Sequence, residues 1–339
     1  METKVIKKEF LNKDSLKKIK EYYLSGEVVA IPTETVYGLS ADAQNKEAVS
    51  KIFVAKNRPA DNPLIVHFYE LSQLDGIVDY SDPWIKDLAN KFWPGPMSLI
   101  LPLLDKEKIA SNVTAGLSSL AVRMPSDKYA REILKETGVL LAAPSANTSG
   151  KPSPTRASHV INDMDGKIAA IVEGEDSEIG LESTVIDCRK RPFVIARPGS
   201  IKLSDIEKVL GEGNISYHDF DDKEKVISPG TKYRHYSPEA DLLIEDISLG
   251  EMITKLEKVD SSTAFITYEK YKEKLMNLSC TIKYLAKSEE NIEESSKNLY
   301  NILRECDLEN IRTIYLLKIK ENDKSKALVN RITKASSKK

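Results

Sequence analysis

Lys56 and Arg58 stand two residues apart, with Pro59 directly after them. A mobile ammonium beside a planar guanidinium suits a polyphosphate, one acting as a point charge and the other as a fork. The plain alternative is a solvated helix end, because exposed Lys and Arg are common. Ser145 and Asn147 follow an apolar run and Pro144, and offer a hydroxyl and an amide of the kind that bind phosphate oxygens or a ribose. The same residue types also favour ordinary loops and caps. Arg123 directly follows Leu120-Ala-Val122, and Arg197 directly follows Phe193-Val-Ile-Ala196. An Arg after a buried strand, twice, suggests anion contacts from a common sheet edge, or else two structural ion pairs. Hydroxyls and a carboxylate also stand beside apolar runs at Thr33-Glu-Thr35 and Glu182-Ser-Thr184. His67 ends Leu64-Ile-Val66; alone, such a residue is more often structural than catalytic.

Other chemistries are missing. Ser149-Gly-Lys-Pro-Ser153 lacks both the leading Gly of a phosphate-binding P-loop and the Ser or Thr after its Lys. No Gly-x-Ser-x-Gly elbow is present. The four His and three Cys have no zinc spacing, and His159 and His218 sit in polar segments. Cys188, Cys280 and Cys306 are odd in number, which favours a reduced, cytoplasmic chain over a disulfide framework.

Buried elements must hold these groups. Val28 to Ile31 reads as a short strand ending at Pro32, after which Gly38 frees the backbone to turn. Asn45 caps a helix through Ile52 and Phe53 that delivers Lys56. Leu64 to Phe68, Met97 to Leu101, Leu120 to Val122, Val139 to Ala143, Ala169 to Val172, Ser183 to Asp187 and Phe193 to Arg197 read as strands. Residues 14–24 have helical spacing with Asp14 or Ser15 as cap, Pro83 to Phe92 follows Asp82, Tyr129 to Thr137 closes at Gly138, and Leu203 to Leu210 starts near Leu203 or Ser204. A second α/β pattern follows: strands at Leu242 to Glu245, Ala264 to Tyr268 and Ile314 to Leu317, and helices at Met252 to Leu256, 288–306 and Ala327 to Ile332, with a frayed tail from Ala335. No Gly-rich loop follows these later strands, so a nucleotide site is not indicated there.

At 339 residues the chain has room for two cores. The net charge of -2 makes no overall case for nucleic-acid binding, so tRNA contact is not indicated by charge. The N-terminus has no signal-peptide core, and no run approaches the roughly 18 apolar residues of a membrane span. The expected division is a catalytic domain over 1–212, a linker or lid over 213–239, and a further domain over 240–339. The middle segment is unusual for a linker, because Thr231-Lys-Tyr-Arg-His-Tyr236 packs two Tyr, a Lys, an Arg and a His into six residues.

Taken in order, Pro32-Thr-Glu-Thr-Val-Tyr-Gly38, Lys56-Asn-Arg-Pro59, Asn62-Pro-Leu-Ile-Val-His67, Trp93-Pro-Gly-Pro96, Ala121-Val-Arg-Met-Pro125, Pro144-Ser-Ala-Asn147, Glu182-Ser-Thr184 and Arg197-Pro-Gly199 resemble the YrdC/Sua5 family. Ser228 to Pro238 and Ala327 to Ile332 are similar to its two-domain Sua5 branch. One departure is the charged, Gly-free stretch Glu321 to Lys326. The resemblance implies an α/β fold: a YrdC-like twisted mixed sheet with helices, plus a smaller Rossmann-like α/β C-terminal domain. It implies a nucleotidyltransferase that joins L-threonine, bicarbonate or CO2, and ATP, with Mg2+ as companion of the ATP. The products would be threonylcarbamoyl-AMP and pyrophosphate, and a downstream transferase complex would use the adenylate for the t6A modification at position 37 of tRNA. By resemblance Thr35, His67, Arg123, Ala143 and Ser183 would hold threonine. Arg58, Asn62, Ser119, Ser145, Ser153, Arg197 and Tyr233 would hold ATP, and Lys56 with Arg58 would carry the catalysis. Residues 228–238 would form a lid. The rival readings are an RNA-binding module, a related carbamoyl-adenylate step of hydrogenase maturation (whose acylphosphatase-like and zinc-finger regions this chain lacks), and a regulatory protein whose second domain binds a partner.

Overall fold

The computed structural model describes residues 2–218 and 236–336, in two units. The first takes in 2–149, 154–178 and 182–218; the second takes in 150–153, 179–181 and 236–336. Tyr233, residues 228–235 of the expected lid and residues 337–339 of the tail lie outside the described residues.

The strands of the first unit are β1 (Lys4–Ile6), β2 (Val29–Ile31), β3 (Gly38–Asp42), β4 (Ile65–His67), β5 (Met97–Pro102), β6 (Ser119–Arg123), β7 (Leu141–Ala142), β8 (Ala170–Val172), β9 (Thr184–Asp187), β10 (Phe193–Arg197) and β11 (Ile215–Tyr217). They lie in the order β1-β8-β2-β3-β7-β4-β6-β5-β9-β10-β11, with parallel and antiparallel neighbours mixed. The helices are α1 (Lys13–Leu24), α2 (Lys46–Lys56), α3 (Pro83–Phe92), α4 (Ser111–Thr114), α5 (Lys128–Thr137), α6 (Ala157–Met164) and α7 (Leu203–Leu210). The unbroken apolar run at β2 is explained by burial on both sides. Val28 and Ala30 enter the main core with Ile52 and Phe53 of α2, while Val29 and Ile31 pack with Ile19 of α1 and Ile133 of α5.

Local signals set several boundaries. Asn45 accepts hydrogen bonds from Glu47 N and Ala48 N at 3.0 Å, and Asp82 accepts from Trp84 N with Pro83 at the first helical position. Elsewhere the structure corrects the sequence reading. α1 is capped by Asn12 rather than by Asp14 or Ser15, because Asn12 Oδ1 accepts from both of their N–H groups at 3.1 Å. α7 is preceded at its cap position by Lys202, not by Leu203 or Ser204. Gly38 opens a strand instead of a turn; a Cβ there would stand in van der Waals contact with Ala143 Cβ at 3.4 Å. The strand expected over Val139 to Ala143 shrinks to two residues in β7. The expected connection from 213 begins with β11, which pairs in parallel with β10. Ala335 is buried in a helix, not frayed.

The second unit has strands β12 (Asp241–Glu245), β13 (Thr263–Tyr268), β14 (Thr281–Ala286) and β15 (Thr313–Leu317), all parallel, in the order β12-β15-β13-β14. Its helices are α8 (Leu249–Leu256), α9 (Lys272–Leu275), α10 (Ile292–Leu308) and α11 (Lys326–Ser336). Helices between parallel strands give the Rossmann-like α/β arrangement expected for this half. β14 went unforeseen because it is half-buried along most of its length and carries no apolar run. Among the described residues no helix is long and apolar enough to cross a membrane.

Candidate active site

Strand alternation builds the site. In β6, Leu120 and Val122 enter the main core, so Ser119, Ala121 and Arg123 take the opposite face. Val66 of β4 and Leu99 of β5 likewise point into the core, which turns Ile65 and His67, and Ser98 and Ile100, the other way. Ile65, Ile100, Ala121, Val185 and Ala196 make a small apolar cluster on that face. Ala143 lies alongside Ile65, its N–H donating to Ile65 O at 3.0 Å. Ala121 and Ala143 keep the centre of the face low, while polar groups stand at both ends of the strands.

β4 and β6 are parallel, with His67 opposite Arg123. At their other ends stand Asn62 and Ser119, joined by Ser145, which follows the antiparallel β7. Ser119 and Arg123 are four steps apart along the strand, about 13 Å. The candidates therefore fall into two groups.

In the first group Arg123 is buried and meets three partners. Its Nη1 donates to Thr35 Oγ1 at 2.8 Å, its Nη2 lies 2.7 Å from Glu34 Oε1, and its Nε donates to Gly95 O at 3.4 Å. The Glu34 contact is close but not aligned as a hydrogen bond. His67 is buried; desolvation, helped by the Arg123 charge, lowers its pKa to about 3, so the ring is neutral near pH 7. Its Nδ1 has no hydrogen-bond partner. Ser183, just before β9, exchanges a hydroxyl hydrogen bond with Ser98 at 2.8 Å. Arg197 holds Ser183 from the other side, donating from Nε and Nη2 to its carbonyl at 3.2 and 3.0 Å and from Nη2 to its Oγ at 3.1 Å.

The second group forms around Lys56. α2 stops one residue later, where Asn57 adopts the left-handed conformation and caps the helix. Lys56 is not a solvated helix end: it is 2 % exposed. Its ammonium donates to Ser145 O, to Asn147 O at 2.7 Å and to Asn147 Oδ1 at 3.5 Å, while its own carbonyl accepts from Ser149 N at 2.8 Å. Ser145 Oγ donates to Asn147 Oδ1 at 2.6 Å. One buried cation thus stitches the 145–149 loop to α2, as burial of a charge requires. Half-exposed Arg58 donates to Asn62 O at 3.4 Å. Asn62 is fully buried, and neither its side-chain oxygen nor its nitrogen has a partner.

Buried polar atoms without hydrogen bonds are rare in folded proteins and call for a reason. Of nine such side-chain atoms among the described residues, six belong to Glu34, Asn62, His67 and Arg123. Ser153 is buried in the 150–153 segment of the second unit, and Tyr233 is outside the described residues. Sequence reasoning missed Ser98 and gave Glu34 no role. A lone hydroxyl alternating with Met97 and Leu99 was the available signal for Ser98; for Glu34 the signal was a carboxylate between two Thr.

Comparison with known proteins bears on this face. The family described as Telomere recombination, which groups Sua5, YciO and YrdC proteins, matches residues 21–199, and the one described as Threonylcarbamoyl-AMP synthase, C-terminal domain, matches 201–337. The threonylcarbamoyl-AMP synthase of Bacillus subtilis is 41% identical over 313 residues, covering 91% of this chain and 89% of that one. The Pyrococcus abyssi protein of the same name is 40% identical over 321 residues, covering 92% and 91%. A crystal structure of P. abyssi Sua5 complexed with L-threonine superposes with a TM-score of 0.87 at 36% identity, covering 99% of this chain and 98% of that one. The chain belongs to the Sua5/YciO/YrdC family and carries the C-terminal domain of its threonylcarbamoyl-AMP synthases.

Proposed function

We propose that this chain is an L-threonylcarbamoyladenylate synthase, making threonylcarbamoyl-AMP and pyrophosphate from L-threonine, bicarbonate or CO2, and ATP. The observation that carries the reading is the set of buried polar groups around one face of the first unit, namely the Glu34–Arg123 ion pair, the neutral His67 and the Asn62 amide without a hydrogen-bond partner, in a chain so similar to a protein crystallised with L-threonine. Arg123 receives the threonine carboxylate, and Thr35 and Ser183 supply hydroxyls for its polar side chain. Neutral His67 offers a hydrogen-bonding nitrogen without adding charge beside Arg123. Ala143 and Ala121 leave room for the substrate's carbon skeleton. At the other end Asn62, Ser119, Ser145 and Arg58 hold ATP, with Ser153 and Tyr233 as further candidate contacts by resemblance; Arg197, also an ATP candidate by resemblance, stands beside Ser183 in the first group.

The chemistry follows from positioning. The neutral threonine amine attacks the carbon of CO2, supplied as such or from bicarbonate by uptake of a proton and loss of water, and an N–H proton leaves to solvent as the carbamate forms. A carbamate oxygen then attacks the α-phosphorus in line, and the bond to pyrophosphate breaks. No protein nucleophile is needed. Lys56 fixes the 145–149 loop and supplies positive potential, and Arg58 neutralises charge on the departing phosphates. Mg2+ enters with ATP, held by its phosphates. Among the described residues no three carboxylate, His or Cys side chains gather as a metal site, which fits a metal carried by the substrate. The mixed anhydride hydrolyses readily, so water must be kept away. Residues 228–238 serve as the lid in this reading, with catalysis in 1–212, the connection over 213–239 and the smaller domain over 240–339. The adenylate passes in the cytoplasm to a transferase complex that modifies tRNA at position 37.

The test is pyrophosphate release by the purified chain, with and without L-threonine and bicarbonate, and with serine as control. Release that needs both co-substrates supports the reading. Release indifferent to threonine, or none at all from folded protein with Mg·ATP, overturns it.

A further inference from the structure

A hydroxyl carries one hydrogen and two lone pairs, so the partners of a buried hydroxyl dictate which way it points. Around Arg123 they do so at two places. Thr33 Oγ1 lies 2.6 Å from Val36 O, which only accepts, so the Thr33 hydrogen is committed there. The Thr33 backbone is itself held, its carbonyl accepting from Ser177 Oγ at 3.0 Å. Everything else that meets Thr33 Oγ1 must donate to it: Thr35 N and Val36 N do so weakly at 3.3 Å, and Thr35 Oγ1 does so at 2.9 Å. The Arg123 guanidinium, which only donates, gives a hydrogen to Thr35 Oγ1 at 2.8 Å. Thr35 therefore keeps a lone pair and no hydrogen. Toward a bound molecule it is an acceptor.

The second hydroxyl has the opposite polarity. Arg197 Nη2 donates to Ser183 Oγ at 3.1 Å, which takes one lone pair. Ser98 Oγ, fully buried on β5, stands 2.8 Å from Ser183 Oγ and has no other partner among the described residues. This pair has two hydrogens and one bond between them, so one hydrogen is left over. On Ser98, inside the strand, it would be stranded for good; on Ser183, ahead of β9, it is satisfied by the substrate. Ser98 thus donates, both Ser183 lone pairs are filled, and Ser183 is a donor toward a bound molecule. The two hydroxyls share a neighbourhood. Leu99 pairs with Val122 in the antiparallel β5 and β6, which sets Ser98 opposite Arg123, the residue that holds Thr35.

We propose that Thr33 and Ser98 are positioning residues that fix this polarity, and that the site selects the side-chain hydroxyl of L-threonine by offering it one acceptor and one donor. The substrate hydroxyl donates to Thr35 and accepts from Ser183. In its place a carboxylate faces the Thr35 lone pair, an ammonium faces the Ser183 hydrogen, and a methyl leaves both unpaired. The inference rests on the function proposed above for the identity of the substrate and for its contact with Thr35 and Ser183.

Calorimetric titration of the full chain with L-threonine and with L-2-aminobutyrate, which has the same carbon skeleton and no hydroxyl, tests this. The wild type should bind 2-aminobutyrate about a hundredfold more weakly, because the analogue strands both site groups. Ser98→Ala and Thr33→Val should each weaken L-threonine about fivefold and 2-aminobutyrate less than about twofold, since the analogue has no hydroxyl to lose. Thr33→Ser, which keeps the hydroxyl, should restore the wild-type preference. A merely structural role would move both amino acids together. Equal binding of the two by the wild type, equal weakening of the two in the Ser98 and Thr33 variants, no rescue by Thr33→Ser, or no binding of threonine at all would overturn the proposal. Threonine bound with the expected preference, but without pyrophosphate release from ATP, would overturn the proposed reaction and leave this inference standing.

Discussion

Glu34 and Arg123 lie 2.7 Å apart with side chains 4% and 5% exposed, yet no hydrogen bond aligns between them. Burial makes each dependent on the other, because an unpaired charge there costs about 3–5 kcal/mol. Arg123→Ala should therefore lower the unfolding free energy by an amount of that order, and adding Glu34→Gln should recover part of it. Denaturant titration of the wild type, the two single variants and the double variant checks this. Simple addition of the two losses would show that the pair is not coupled. Arg123→Lys, which keeps charge but loses the fork, should raise KM for threonine at least tenfold and KM for ATP much less.

Lys56 spends its ammonium on backbone and amide oxygens of residues 145–147. Lys56→Met keeps the stem and deletes the donors, leaving buried carbonyls unpaired at about 1–3 kcal/mol. The expected variant is folded, less stable, and at least a hundredfold slower in kcat. Thermal unfolding with steady-state kinetics decides: full activity would reduce Lys56 to a structural residue. Lys56→Arg should fare little better, since a guanidinium does not fit a cradle built for an ammonium.

His67 carries a pH signature. Its folded pKa, about 3, lies below the ordinary value of about 6.5, so the unfolded chain binds the extra proton first. Stability conferred by the neutral ring is complete above about pH 6.5. It falls with acidification at up to about 1.4 kcal/mol per pH unit until the folded pKa is reached. In His67→Gln this component vanishes, and stability between pH 6.5 and 4 should change less than in the wild type. Parallel curves for the two proteins would contradict a depressed His67.

Gly199 sits where a side chain cannot. A Cβ there would stand 2.2 Å from Thr184 N and 2.7 Å from Ser183 C. Gly199→Ala should push Ser183 away from Ser98 and Arg197, costing about 1–3 kcal/mol of stability and raising KM for threonine several-fold. Unchanged melting temperature and KM would mean that β9 yields without consequence.

Much of this was legible in the chain itself. Asn45, Asp82 and Gly138 marked helix ends because caps act over a few residues, and the structure keeps α2, α3 and α5 where those signals put them. Apolar runs located the strands buried on both faces, and the interleaved pattern separated two α/β halves. Lys56, Arg58 and Arg123 stood out by residue type and position; Asn62 entered only through the family resemblance, and His67 by itself read as structural. Three-residue β1 was invisible, since its partner Ala170 is far along the chain and only pairing defines it. So was β14, whose half-exposed residues lack a clear alternation. Local propensity ranks conformations of neighbours; it contains no term for which distant strand lies alongside. The contact of Glu34 with Arg123, the stitching of Lys56 to Ser145 and Asn147, and the opposition of His67 to Arg123 all join residues tens of positions apart. They were decided only in the tertiary structure, where burying the apolar side of every strand at once leaves a single register, and that register puts the polar groups on one face.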